Sequence, residues 1–308
     1  MRWFHESIDR LQAATIRAAM PQALRHGTTS PSLREHLDAV RLSIPPLTTC
    51  KRYRLTADTL VGPLACGYRV QLGSRPGLPV LIYHHGIAEM PYDKSFRGIF
   101  GWRAIDAHLV VLQAPFHQTW WTVSKGLTTM SRFMAMCAVS VTMMEALRRR
   151  FHDDGSPHCL IAGLSLGGFL SLMHHLHVGT ANRYAPLLSG PDIAHTMLAT
   201  PFGRLLAPEA KAQAEHIQSL LDFRQAFQAS DTRHIFPLLA RYDLHMPYDH
   251  LYPCYLDSQV PVTMLNRGHI TGSLSFHALR NHLLSCLEPL RQTATTGAQP
   301  ENISWFKP

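Results

Sequence analysis

The sequence is poor in charged residues and lacks any cysteine pair spaced for a metal site. Only 16% of its 308 residues are Asp, Glu, Lys or Arg, whereas 46% are hydrophobic, which is enough apolar material for a large core. The six cysteines are far apart and form no Cys-x-x-Cys pair, so zinc and redox chemistry have no support. We expect reduced, buried thiols.

Long apolar runs are also absent from the sequence. The first residues, from Met1 to Glu6, carry charges where a signal peptide needs an apolar stretch, and no run reaches the length of a membrane span. A cytoplasmic location is therefore expected. The formal charge is +8, but Lys and Arg are scattered and form no run longer than that at 148–150. Without an aromatic and basic platform or a zinc-finger spacing, nucleic acid is not predicted as a partner.

Short apolar runs alternate with segments of helical length through the middle of the chain. Segments 50–56 and 66–72 alternate apolar and polar residues, which predicts an antiparallel hairpin at the edge of a sheet. Further runs predict buried strands near 80–83, 109–112, 158–162, 184–188, 235–240 and 262–265. This alternation predicts an α/β fold, with a mostly parallel central sheet covered by helices on both faces.

The chain divides into three predicted parts. Residues 1–45 have apolar positions at helical spacing and predict a helical N-terminal extension, with packing on the body favoured over lying on a surface. Residues 46–291 form the main domain, which includes a helical insertion at about 192–231 that predicts a small lid. Residues 292–308 are rich in Thr, Ala, Gly and Pro, which indicates a loose tail.

A Gly-x-Ser-x-Gly pattern is the strongest candidate for chemistry. It spans residues 163–167 and places Ser165 directly after a predicted strand and directly before a predicted helix. The flanking glycines allow a sharp turn that would hold the serine in a strained conformation with its oxygen exposed. The helix that follows would aim backbone N–H groups at an oxyanion. Ser165 is therefore predicted to be a nucleophile.

A serine hydroxyl needs a base to take its proton and an acid to hold that base in the right tautomer. Among 20 histidines, His269 is the one on a loop just past the last predicted strand. In open α/β sheets, ligands bind at the carboxyl ends of the strands, so this position favours His269 as the base. Asp243 stands at the end of the penultimate strand and is the predicted acid. Asp192, after the preceding strand, is the alternative, and Asp249 is a more distant one.

The segment after the first buried strand predicts a loop that donates hydrogen bonds to an oxyanion. Its His85-Gly86 pair lets the backbone turn so that the N–H of Ile87 and the N–H of Leu166 point at the same oxygen. His85 and Gly86 are also predicted to contact substrate, together with Trp120, whose aromatic segment suits an apolar acyl or alcohol group. No metal and no cofactor are predicted.

Together these features resemble the α/β-hydrolase family over about residues 50–290. The resemblance depends on the His85-Gly86 loop, the turn at 163–167, Asp243 and His269, in the family's order of nucleophile, acid and base. It implies a Ser-His-Asp triad and cofactor-independent acyl transfer through an acyl-enzyme, usually to water. Two features depart from the family: the loop has one glycine where many lipases and esterases have several, and the first forty residues match no known pattern.

The leading hypothesis is therefore a serine hydrolase that cleaves a carboxylic ester in a small-molecule substrate. The same machinery cleaves thioesters, amides, lactones and carbon–carbon bonds, so the bond class stays open. One alternative is a catalytically silent member of the fold that binds a small ligand or a partner protein. Another takes the basic N-terminal helices as a peripheral anchor on a membrane surface for a lipid esterase. A monomer or homodimer without an integral membrane segment is expected.

Overall fold

Eight strands form one sheet in the computed structural model, which describes residues 1–47, 51–101 and 105–296, with side chains described to residue 293. In chain order the strands are β1 (Arg52–Ala57), β2 (Leu64–Gln71), β3 (Val80–His84), β4 (His108–Gln113), β5 (Cys159–Leu164), β6 (Arg183–Leu187), β7 (Leu238–Ala240) and β8 (Thr263–Leu265). Cys50, where the first strand was predicted to begin, lies outside the described residues, as does the predicted tail from position 297 onward.

The strands are arranged in the order β1-β2-β4-β3-β5-β6-β7-β8. β1 and β2 form an antiparallel hairpin at one edge, and β2 also runs antiparallel to β4. Every other neighbouring pair is parallel. The prediction of a mostly parallel sheet with an antiparallel edge hairpin is therefore confirmed.

Helices surround this sheet. They are α1 (Arg2–Ala19), α2 (Leu33–Ala39), α3 (Lys94–Phe100), α4 (Trp120–Gly126), α5 (Met130–Asp153), α6 (Leu166–His177), α7 (Ala194–Ala199), α8 (Pro208–Lys211), α9 (Ala214–Leu221), α10 (Arg224–Gln228), α11 (Tyr248–Asp257), α12 (His269–Ser273) and α13 (Phe276–Thr296), with a 3₁₀ helix at Pro201–Leu205. Residues 194–228 of the predicted lid are thus largely helical. The division of the chain into three parts remains a prediction.

The two faces of the sheet bury separate apolar clusters. Every residue of β3 is buried, and because side chains alternate along a strand, Val80 and Ile82 join one cluster while Leu81 and Tyr83 join the other. The first cluster includes side chains from α5 and α6, and the second includes side chains from α3 and α13. This burial on both faces explains why the central strands read as continuous apolar runs.

Helix α5 is long and apolar enough to cross a membrane by length and composition, but 78% of its most apolar window is buried inside the structure. It is therefore a core helix of this fold, packed beside β3 and α6. The last strands are shorter than predicted. The run expected to start at Ile235 begins with a single bridge from Ile235 to Tyr184 and becomes a strand at Leu238, after Pro237, which has no N–H to donate.

Helix α1 packs on the body of the protein through one stripe of its surface. His5, Asp9, Ala13 and Ile16 are buried, and their spacing of four, four and three residues places them on one face of the helix. The contact partner of this stripe includes α12, which follows β8. The N-terminal extension therefore reaches the end of the sheet where the candidate site lies.

Candidate active site

Ser165 lies at the sharp turn between β5 and α6. Its φ of 55° and ψ of −115° form a strained backbone conformation for a residue with a side chain. The strand and the helix come so close here that a Cβ on Gly163 would collide with the Gly167 backbone, and a Cβ on Gly167 would collide with the His84 carbonyl. The two flanking glycines therefore make the turn possible, as the sequence motif predicts.

Three side chains form a continuous chain of hydrogen bonds from this turn. His269 Nε2 lies 3.1 Å from Ser165 Oγ, and His269 Nδ1 lies 2.7 Å from Asp243 Oδ2. The other carboxylate oxygen, Asp243 Oδ1, accepts the backbone N–H groups of His245 at 2.8 Å and Met246 at 2.7 Å. The structure thus brings together the three residues predicted as nucleophile, base and acid, and the carboxylate of the acid is oriented by its own loop.

The electrostatic surroundings of His269 favour the charged imidazolium. Burial lowers the pKa of His269, but the attraction and hydrogen bond from Asp243, with a further contribution from Asp9, outweigh burial and hold the pKa above its usual value. The nearby ring of His245 is different, because burial lowers its pKa to about 2 and neither ring nitrogen has a partner among the described residues. His245 therefore stays neutral beside His269 and adds no competing charge.

The loop after β3 lies against the turn that carries Ser165. A Cβ built on Gly86 would stand 3.7 Å from Ser165 Cβ and 3.6 Å from the Leu164 carbonyl oxygen. Ile87 and Leu166 both line a cavity beside Ser165. Within the described residues, the amide N–H groups of Ile87 and Leu166 donate to no protein acceptor. Two unengaged donors next to a serine hydroxyl are what an oxyanion would require.

Histidines beneath this loop hold it in place. His117 Nε2 lies 2.8 Å from the Ile87 carbonyl oxygen. His85 Nε2 accepts the Ala114 backbone N–H at 3.1 Å, so its proton is on Nδ1, which donates to the Gly86 carbonyl at 2.8 Å. His85 is fully buried and the cleft lining does not include it among the described residues. The predicted contact of His85 with substrate is therefore corrected to a supporting role, because its ring points into the protein.

Two cavities meet at Ser165. One is a cleft of about 340 Å³, whose lining includes Gly86, Trp120 and His269. The other is a narrower cavity of about 100 Å³, in which apolar side chains predominate: Ile16, Val123, Phe133, Met197, Leu206 and Met246. The predicted substrate contacts Gly86 and Trp120 both line the cleft, and Trp120 is half exposed at its edge. Ser165 lines both spaces.

Solved structures of several enzymes share this architecture over most of the chain. A carboxyl esterase from Bacillus coagulans is similar with a TM-score of 0.55 at 10% identity, covering 80% of this chain and 99% of that chain. An acetyl xylan esterase from Paenibacillus sp. R4 is similar with a TM-score of 0.54 at 14% identity, covering 94% of each chain. An esterase from Pyrococcus furiosus is similar with a TM-score of 0.53 at 10% identity, covering 82% of this chain and 97% of that chain. The chain has the α/β-hydrolase fold.

No protein-family model matches this chain, and no curated protein matches it either. At identities of 10% to 14% the similarity shows the fold and does not carry a reaction with it. Any chemistry of this protein therefore depends on the side chains of the site. No group of three or more His, Cys, Asp or Glu that could hold a metal ion is found in the part of the chain that the structure describes.

The two alternative acids lie elsewhere in the structure. Asp192 accepts the His195 backbone N–H at 3.0 Å and lies 2.8 Å from His250 Nε2, within a network that includes Arg224. Asp249 lies in the first turn of α11. Among the described carboxylates, the one that hydrogen-bonds to the His269 ring is that of Asp243.

One residue of the site was not anticipated from the sequence. Asp9 of α1 is fully buried and accepts backbone N–H groups from the segments that carry Asp243 and His269. A signal was present, because Asp9 shares the buried stripe of α1 with His5, and a carboxylate on a buried face requires hydrogen-bond partners. The sequence offered no way to identify those partners, which lie more than 230 positions away.

Proposed function

We propose that this α/β-hydrolase cleaves carboxylic esters, with Ser165 as nucleophile, His269 as general base and acid, and Asp243 as the acid that orients the histidine. The observation that carries the proposal is the unbroken hydrogen-bonded chain from Ser165 Oγ through both ring nitrogens of His269 to Asp243. A serine in a strained turn, next to unengaged amide donors and at the junction of two cavities, supports the same conclusion.

The proposed reaction begins when Ser165 Oγ attacks the ester carbonyl carbon as His269 Nε2 takes the hydroxyl proton. The Asp243 carboxylate stabilises the resulting imidazolium, and the N–H groups of Ile87 and Leu166 receive the oxyanion, each donor contributing on the order of 3 kcal/mol. The carbon–oxygen bond to the alcohol then breaks as His269 returns the proton to the leaving oxygen. A water molecule, deprotonated by His269, then attacks the acyl carbon. The bond from that carbon to Ser165 Oγ breaks as His269 returns the proton to Oγ, which releases the carboxylic acid and restores the serine.

The positions of the two cavities indicate how an ester would lie. The leaving alcohol oxygen must receive its proton from His269, which lines the wide cleft, so we assign the alcohol to the cleft. The acyl chain then extends into the narrower apolar cavity, which is lined by Ile87 and Leu166 and, in the described part of the chain, not by His269. Its volume of about 100 Å³ suits short acyl chains better than long ones.

The cleft is suited to alcohols with polar groups. Glu89 and Lys94 line it, and the Glu89 carboxylate accepts N–H groups from Gly86 at 3.3 Å and Ser95 at 2.5 Å. Burial raises the pKa of Glu89 to about 7, so this group changes charge near neutral pH. With Lys94 on the same lining, the cleft presents groups of both signs, so a neutral polar alcohol is the best match.

Labelling with a fluorophosphonate probe tests the nucleophile. The wild-type protein is expected to label and Ser165→Ala is not. Ser171→Ala is the matched control, because Ser171 lies on the same helix and its hydroxyl bonds the Gly168 carbonyl away from the cavities. A panel of p-nitrophenyl esters, thioesters and lactones then defines the bond. Equal labelling of Ser165→Ala, or a labelled wild type that turns over no ester in the panel, contradicts the proposal.

Three expectations from the sequence remain predictions alongside this proposal. They are a small-molecule partner, a monomer or homodimer, and a cytoplasmic location. Helix α1 also exposes Trp3, Phe4 and Leu11 on its outward side, so peripheral membrane contact is a further prediction, and co-sedimentation of the protein with liposomes tests it.

A further inference from the structure

A buried carboxylate connects the N-terminal helix to the candidate site. Asp9 is 0% exposed, and its Oδ2 accepts the backbone N–H of Leu244 at 3.1 Å and of His269 at 2.9 Å, while Oδ1 accepts the backbone N–H of Ile270 at 3.0 Å. A carboxylate removed from water is strongly unfavourable unless it is hydrogen-bonded, and bonds to an ionised acceptor are stronger than neutral ones. Three such bonds make Asp9 a firm attachment point.

The three donors belong to the two segments that carry the proposed base and its acid. Leu244 directly follows Asp243 in the loop after β7, whereas His269 and Ile270 begin α12 after β8. Both segments leave the carboxyl ends of neighbouring strands, and β7 and β8 pair over three residues each. Beyond that short pairing, the Tyr242 N–H donates to the Arg267 carbonyl at 2.8 Å and Asp243 bonds His269. The Asp9 carboxylate adds a further bridge between the two segments, through their backbone N–H groups.

Other contacts of α1 hold Asp9 in position against these two segments. His5 Nδ1 lies 2.8 Å from Thr271 Oγ1, and the His5 ring stacks on Tyr242 with a 12° angle between ring planes. A Cβ on Gly268 would lie 2.9 Å from Asp9 Oδ2 and 3.1 Å from His5, closer than side chains normally approach. The residue before His269 is thus a glycine where α1 presses against the loop.

We propose that Asp9 is a positioning residue, which acts by tying the Asp243 loop to the His269 segment and so aims His269 Nε2 at Ser165. This inference rests on the proposed function, because it assigns Asp9 a role through His269. Asp9 itself lines neither cavity among the described residues and does not touch the substrate space. The N-terminal extension then contributes directly to the geometry of the site.

The charge of Asp9 has a separate consequence for His269. The titratable and polar groups that contact this histidine are Asp9 of α1, Asp243 and His245 of the loop after β7, and Ser165. His5 of α1 contacts Thr271, which lies in the same helix as His269. Two of the groups that contact His269 are carboxylates, and both raise the pKa of His269 against the effect of burial. Removing the Asp9 charge therefore lowers that pKa and moves the acidic limb of activity to lower pH.

Asp9→Asn tests both effects with little change in volume. An amide at this position turns a donor toward at least one of the three N–H groups, so the loops shift. We expect kcat per active site to fall about 10- to 100-fold with KM changed little, since small misplacements of a catalytic group have effects of this size. Glu6→Gln is the matched control, because it makes the same change on the same helix at a carboxylate that pairs with Arg2 and Arg10.

The active-site concentration is measured by titration with the fluorophosphonate probe, and kcat, KM and the pH profile are then compared per active site. A purely structural role would lower the unfolding temperature or the active fraction and leave kcat per site and the acidic limb unchanged. That result, or wild-type behaviour of folded Asp9→Asn, overturns the inference. A wild type that does not react with the probe instead refutes the proposed function.

Gly268→Ala is a second variant, which disturbs the contact of Asp9 from the side of the loop. It tests the inference if Asp9→Asn fails to fold. The backbone at Gly268, with φ of −89°, accepts alanine, and the added Cβ displaces the Asp9 carboxylate without removing its charge. We expect a fall in kcat with the acidic limb unchanged, which separates position from charge. Unchanged kcat in folded Gly268→Ala also overturns the inference.

Discussion

Replacing Asp243 by Asn perturbs the proposed triad in a defined direction. The two carboxylate oxygens have different partners, because Oδ1 accepts two backbone N–H groups and Oδ2 faces His269 Nδ1. In Asp243→Asn the backbone donors retain the remaining oxygen at the Oδ1 position, so the amide NH₂ faces His269. That group donates, and Nδ1 must therefore become an acceptor, which places the ring proton on Nε2. Nε2 then cannot accept the proton of Ser165.

The expected loss is large because the wrong tautomer disables the base while the rest of the site stays in place. We expect kcat to fall about 10⁴-fold, which corresponds to about 5.5 kcal/mol of activation free energy. KM is expected to change little, because neither cavity is lined by Asp243 among the described residues. Lost orientation of His269 by itself, with the correct tautomer retained, would produce a smaller effect.

The assay is hydrolysis of a p-nitrophenyl ester, with thermal unfolding to show that the variant is folded. Asp192→Asn is the control, since Asp192 is also buried after a parallel strand and also contacts a histidine, His250. It is expected to keep kcat within about threefold of wild type, as for changes remote from the chemistry. The reasoning is refuted if folded Asp243→Asn retains a tenth of the wild-type kcat, or if Asp192→Asn loses as much activity as Asp243→Asn.

Three further outcomes are expected. Because the pKa of His269 is held above 6.5, kcat/KM should decline as pH falls through a midpoint above that value, and a rate profile with a lower midpoint contradicts this. Val123→Phe narrows the apolar cavity and should lower kcat/KM for octanoyl relative to acetyl esters by about tenfold or more, whereas Leu256→Phe on the exposed side of α11 should leave the ratio unchanged. His117→Phe keeps a ring but removes the bond to the Ile87 carbonyl, and kcat should fall about tenfold in the same ester assay; an unchanged kcat would show that the loop does not need this bond.

Local patterns in the sequence were sufficient for the architecture. Buried parallel strands require apolar side chains on both faces, so β3, β4 and β5 appear as short apolar runs that can be recognised one at a time. The turn at Ser165 is equally local, because the glycines that its strained conformation requires lie within five consecutive residues, 163–167. His269 and Asp243 could be proposed since the carboxyl ends of parallel strands meet at one edge.

Distances between segments that are far apart in the chain were decided only by the tertiary structure. Asp192 and Asp243 both follow parallel strands, so strand order favoured Asp243 and left Asp192 as an alternative, whereas the fold brings Asp243 to within 2.7 Å of His269. The direction of the His85 ring was likewise invisible, because it depends on the Ala114 N–H of another strand end.

The contacts of helix α1 show most clearly what the sequence could not predict. Its periodicity predicts a buried stripe, since side chains at helical spacing share a face whatever they pack against. Which surface that stripe meets depends on packing between residues about 260 positions apart, and there Asp9 reaches the backbone of His269. The sequence by itself therefore determined the elements and the residue types of the site, whereas the tertiary structure decided which of them touch.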